Sequence, residues 1–68
     1  MGLTEVQFTV YSGEAYDDAM LLVRRSPGWE LMWIDDLEAY ADDDPLAHMT
    51  VFFDSEQHAM LFRLRMSL

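Results

Sequence analysis

Phe62-Arg63-Leu64-Arg65-Met66-Ser67-Leu68 decides the fold. The stretch alternates strictly between apolar and polar residues, as a strand with one buried face does, and read that way it adds a fourth strand. The residues before it give a second reading. Ala59, Phe62 and Met66 recur at helical spacing, with Leu61, Leu64 and Leu68 in a row beside them. Asp54 or Ser55 supplies an N-cap, and Asp54 with Gln57 three residues on resembles a capping box. A helix that stopped at Leu61 would leave almost no residues for a turn before a strand at Phe62. The spacing therefore predicts one closing helix, and only three strands remain to be found upstream.

Those strands show as alternation. Residues 47–53 set Met49, Val51 and Phe53 against His48, Thr50 and Phe52. Residues 3–11 set Val6, Phe8 and Val10 against Gln7, Thr9 and Tyr11. Trp29, Leu31 and Trp33 alternate with Glu30, Met32 and Ile34. Between the first two runs in chain order lies a helix. Ser12 caps it, and Glu14, Asp17 and Asp18 place negative charge in its first turns. Ala15, Ala19, Leu22 and Val23 form its stripe, flanked by Tyr16 and Met20, and Arg24 and Arg25 sit in its last turn. Ser26-Pro27-Gly28 ends it. Leu37–Tyr40 reads as further strand or as a short capped turn, and Asp42-Asp43-Asp44-Pro45 as a loop.

The order is β-α-β-β-α. A right-handed crossover sets the first two strands parallel with a gap between them, which the third fills antiparallel to both. The expected fold class is α+β: a two-layer, truncated ferredoxin-like plait, with both helices on one face of a three-stranded sheet, in a single domain spanning 1–68. Val6, Phe8, Val10, Trp29, Leu31, Trp33, Met49, Val51 and Phe53 then form the inner face. The outer face carries Tyr11, Met32, Ile34 and Phe52 among polar residues. An open apolar patch of that kind marks an interface unless the acidic segment or a curled terminus folds over it.

Composition narrows the function. Thirteen carboxylates face four cations, all arginine, for a formal charge of −9 on 68 residues. Such a field repels nucleic acid and anionic lipid and attracts basic surfaces. Six of the acids, Asp35, Asp36, Glu38, Asp42, Asp43 and Asp44, fall within residues 35–45. Half the residues are apolar and the aromatics are many, which opposes disorder. Cysteine is absent, so disulfides and thiolate metal sites are excluded. The stretch Met1–Val6 has no basic segment followed by an apolar run, and no run approaches the length of a membrane span. The expected location is a cytoplasm.

No catalytic or cofactor constellation emerges. Asp42-Asp43-Asp44 offers oxygen ligands, but Pro45 follows where a calcium loop needs alternating ligands and a central glycine. His48 and His58 lie in no metal-spaced cluster, and Ser12, Ser26, Ser55 and Ser67 sit at capping and turn positions. Sheet aromatics suit RNA bases, but the basic surround is missing. Arg24, Arg25, Arg63 and Arg65 cluster near two helix C-termini, where dipole compensation and carboxylate pairing account for them. A small enzyme or ligand-binding plait would need a pocket near Trp29, Trp33 and Tyr40.

Phe52-Phe53-Asp54-Ser55-Glu56-Gln57-His58-Ala59-Met60-Leu61-Phe62-Arg63-Leu64 resembles the closing segment of small uncharacterised tailed-phage accessory proteins. That resemblance implies no activity, and it would place the protein in a host cytoplasm. The expected function is an acidic, non-enzymatic interaction module, a phage-type inhibitor that docks on a basic, nucleic-acid-binding surface of a host protein by charge mimicry. The six clustered acids supply electrostatic contacts. Met32, Ile34, Tyr40 and Phe52 supply apolar anchors. No direct nucleic-acid or membrane partner, metal or cofactor is expected. The alternative is a homo-oligomeric adaptor, for example a homodimer, associating through the open sheet face.

Overall fold

Alternation at positions 4–10 and 47–53 produces the two strands on which the core is built. The structure, a computed structural model, describes residues 2–68; Met1, part of the stretch read for a targeting signal, lies outside them. The elements are β1 (Thr4–Val10), α1 (Gly13–Arg25), β2 (Trp29–Asp36), β3 (Ala47–Phe53) and α2 (Glu56–Met66). The sheet order is β1-β3-β2, and β3 pairs antiparallel with both neighbours. The chain is thus an α+β domain with a three-stranded antiparallel sheet and two helices. The gap between β1 and β2 is filled by β3, as expected, and the closing segment is a helix. Leu37–Tyr40 is neither strand nor helix.

The caps fix the helix ends. Ser12 Oγ accepts from Ala15 N–H at 3.0 Å, and Ser55 Oγ from His58 N–H at 3.2 Å. Ser55, not Asp54, is therefore the N-cap of α2. At the far end of α2, Ser67 takes a left-handed conformation (φ 60), and the Ser67 and Leu68 N–H groups donate back to Leu64 and Arg63. That is a Schellman closure, which satisfies the last carbonyls and stops the helix. Gly28 also has positive φ (83), and a Cβ there would run into the His58 ring and the Asp54 carboxyl. Only glycine fits this turn between α1 and β2.

The core lies between one face of the sheet and the helices. Val6, Phe8 and Val10 of β1 and Ala47, Met49, Val51 and Phe53 of β3 meet Ala19 and Val23 of α1 and Ala59 and Phe62 of α2. The Phe62 ring joins the layers, 5.8 Å from Phe8 and 5.1 Å from Phe53 between centroids, both tilted.

β2 departs from its expected facing. Trp29 pairs with Phe53, but Leu31 pairs with Phe52, so Glu30 is an extra residue and the ladder shifts there. Such a β-bulge reverses the phase of everything after it. Met32 and Ile34 pair with the fully buried Val51 and Met49 and pack against the core. Leu31 and Trp33 pair with Phe52 and Thr50 on the other face. The expectation of Leu31 and Trp33 inside with Met32 and Ile34 outside is overturned: the alternation runs straight through Glu30, but the ladder slips there. Met32 and Ile34 are consequently not part of the outer surface.

Replacing Phe62 by Ala should lower unfolding free energy by about 3–5 kcal/mol, a large share of what a domain this size possesses. Trp33→Ser should change it by less than about 1 kcal/mol, because Trp33 is 64% exposed. Urea unfolding followed by circular dichroism measures both; similar losses for the two would refute the facing described.

Candidate functional site

The outer face of the sheet consists of three cross-strand rows. Residues directly opposite across neighbouring strands share a face. Glu5, Phe52 and Leu31 form the first row, Gln7, Thr50 and Trp33 the second, and Thr9, His48 and Asp35 the third. Polarity runs across the rows. The β1 side is polar, whereas the β2 side carries Leu31, at 46% exposure, and Trp33, with half-buried Phe52 beside them. Neither helix lies here, since both pack against the opposite face. A shallow hollow of about 520 Å³ opens over the polar rows, lined by Gln7, Thr9, Asp35, His48 and Thr50 among others. Within it Thr9 Oγ1 and His48 Nδ1 are 2.7 Å apart, a hydrogen bond that orients the imidazole.

The third row leads into the hairpin between β2 and β3. Asp36 pairs with Ala47, and Leu37 N–H continues the ladder to the Leu46 carbonyl at 2.9 Å. Leu46 N–H donates to the Val10 carbonyl at 2.8 Å, tying the hairpin to the end of β1. Its tip is the turn Ala41–Asp44, closed by Asp44 N–H to the Ala41 carbonyl at 3.0 Å. Asp44 Oδ2 accepts from the Tyr40 and Ala41 N–H groups at 2.9 and 3.0 Å. This carboxylate holds the turn from within, as Asx side chains do.

The six acids thus occupy one hairpin but serve different ends. Asp35 faces the outer sheet surface and Asp36 its opposite. Glu38 accepts from the Tyr40 hydroxyl, which holds the phenol above its usual range. Asp44 is used structurally. Asp42 and Asp43 are exposed at the tip and make no side-chain hydrogen bond among the described residues. Tyr40 is the most exposed large side chain of the hairpin, available beside them. Of the expected apolar anchors, Phe52 and Tyr40 are at the surface while Met32 and Ile34 face the core. Leu31 and Trp33, which the straight alternation placed inside, take their position. The shift at Glu30 was the missing signal.

Carboxylate pairing does not account for the arginines. Among the described residues the one ionic contact is His58 Nδ1 to Asp54 Oδ1, at 2.6 Å, and no arginine contributes to one. The negative charge of the hairpin is therefore met by solvent. The Asp54 bond to His58 holds its carboxyl below the usual range. Among the described residues no three His, Asp or Glu side chains come together as a metal site would require, and no helix is long and apolar enough to cross a membrane. Comparison with protein-family models, with curated proteins and with solved structures finds no match to this chain.

The Asp54–His58 bond has a pH consequence. A carboxyl whose pKa is lowered on folding adds stability above its unfolded pKa, near 3.9, and that share is lost as pH falls through the folded value. Asp54→Asn should therefore flatten the loss of stability in acid below about pH 4. Urea midpoints measured from pH 2 to 7 report it; parallel curves for variant and parent would show that the bond contributes nothing.

Proposed function

We propose that this protein is an acidic interaction module of the phage-inhibitor kind, docking on a basic, nucleic-acid-binding surface of another protein and standing in for its phosphates. The observation that carries this reading is the adjacency of two features. The apolar half of an uncovered sheet face, Leu31, Trp33 and Phe52, runs along β2 toward Asp35 and the acidic hairpin. Exposed aromatic and aliphatic anchors beside a charged rim are the composition of a docking surface. Among the described residues no arginine pairs with these carboxylates, so their field is available to steer a positive partner. Asp35, Asp36, Glu38, Asp42 and Asp43 supply charge, Asp44 shapes the turn that presents two of them, and Tyr40 extends the apolar contact.

The element order and sheet topology are compatible with a ferredoxin-like plait that lacks its fourth strand, and this is the fold reading we favour. The module works without catalysis, cofactor or metal, in the cytoplasm of a host cell if phage-encoded. A homo-oligomer joined through the outer sheet face is the weaker reading. Each copy would bring Asp35 and the acidic hairpin toward the seam, and two copies at −9 apiece repel.

Immobilised protein should retain basic proteins from the heparin-binding fraction of a bacterial extract, and double-stranded DNA should displace them. Raising NaCl from about 50 to 500 mM should release them, because rim charges are screened. Asp42→Asn with Asp43→Asn should weaken retention about tenfold at low salt while leaving the melting temperature unchanged. Retention indifferent to DNA, salt and both substitutions would overturn the mimicry.

A further inference from the structure

α2 is apolar on two sides. Ala59 and Phe62 are buried in the core and Met66 is half-buried against it. At 3.6 residues per turn, Met60, Leu61 and Leu64 fall on the opposite side of the helix. They are exposed accordingly, Met60 at 63% and Leu64 at 70%. A helix that needs only one apolar stripe to reach its core has here a second one facing outward, which marks a packing surface. Beside it a groove of about 280 Å³ separates α2 from the start of β1, lined by Thr4, Glu56, Ala59, Met60 and Arg63.

Charge selects the occupant. Each copy carries −9 overall, so most approaches of two copies are repulsive. The acids crowd α1, β2 and the hairpin, whereas α2 holds a single acid, Glu56, with Arg63 and Arg65. The back of α2 is thus the face on which a second copy meets least repulsion. Glu56 and Arg63 also lie seven residues apart on the same flank of the helix, bordering the groove. An antiparallel pairing brings Glu56 of each copy alongside Arg63 of the other, while a parallel pairing would set like against like.

We propose that a second copy of this chain docks on the back of α2, the two helices antiparallel about a two-fold axis, with Met60 and Leu64 packed between them. This goes beyond the docking function and does not depend on it. The outer sheet face and the acidic hairpin lie away from α2, so the dimer leaves both free and presents them twice.

Sedimentation equilibrium over micromolar concentrations tests the idea. The protein should run reversibly between its 7.9 kDa chain mass and twice that value. Because NaCl screens the repulsion between the copies, the dimer should tighten from about 50 to 500 mM, opposite in sign to binding of a basic protein. Leu64→Glu should raise the dimer dissociation constant about a hundredfold or more. Its far-ultraviolet circular dichroism should stay that of the parent, since Leu64 is outside the core. Glu56→Arg should weaken the dimer, and adding Arg63→Glu should restore it. A monomer at about 100 µM in high salt would overturn the proposal. So would a dimer indifferent to Leu64→Glu but dissolved by Trp33→Ser, which would place the seam on the sheet face. Retention of basic proteins by monomeric Leu64→Glu would leave the docking function standing whichever way the dimer test falls.

Discussion

One extra residue in one strand, Glu30, decides which side of this molecule is greasy. Before it, Trp29 stands opposite Phe53 on the side of the core. After it, every side chain of β2 has changed faces. Met32 and Ile34 turn toward the buried Met49 and Val51, and Leu31 and Trp33 turn to solvent. Two helices cover β1 and β3, and little room remains beside β2. Flexible Met32 and branched Ile34 pack at that margin, partly buried against the core. The price is an aromatic surface on the other side.

The rest of the molecule is arranged around that one-sided core. β3 is central and supplies four wholly buried side chains, Ala47, Met49, Val51 and Phe53. Phe62 draws α2 onto them, and the Phe62 ring reaches Phe8 as well. A domain of this length buries only about 60% of the surface that its unfolded chain exposes, and leftover apolar area is therefore expected. What is informative is where it lies. Two clusters of it lie on opposite sides, Leu31 and Trp33 beside half-buried Phe52 on the sheet and Met60, Leu61 and Leu64 on α2, while Leu3, Tyr11 and Leu21 are exposed elsewhere. The sheet patch adjoins a cluster of carboxylates and the helix patch adjoins arginines. Opposite electrostatic borders are the reason the two proposals assign them different occupants, a basic protein on one side and a second copy on the other.

Much of this architecture was legible in the residues. Alternation located β1 and β3, caps and charge located α1, and crowding at Phe62 decided for helix over strand. The strand order followed from a crossover that leaves a gap between β1 and β2 for β3 to fill. The site was legible in part. The acidic stretch announced itself by composition, and Phe52 by its place in β3. The facing of β2 was hidden because a bulge leaves no mark in a pattern of period two: Trp29, Leu31 and Trp33 alternate whether or not the ladder slips. Asp44 looked like one more solvated acid, because its bonds to the Tyr40 and Ala41 amides depend on the turn's shape. The outward Met60 and Leu64 were concealed because α2 carries a second apolar row beside the one formed by Ala59, Phe62 and Met66, and spacing alone does not say that only one of the two is covered.

Nuclear Overhauser contacts around β2 test the central claim most directly. The Ile34 and Met32 methyl groups should show cross-peaks to Met49, Val51 and the aromatic core. The Trp33 ring should show them to Thr50 and its outer-face neighbours, and none to Phe62 or Phe53. Cross-peaks from the Trp33 ring to Phe62, with the Ile34 methyls contacting Thr50 instead, would contradict the shifted register and remove the proposed aromatic docking surface with it.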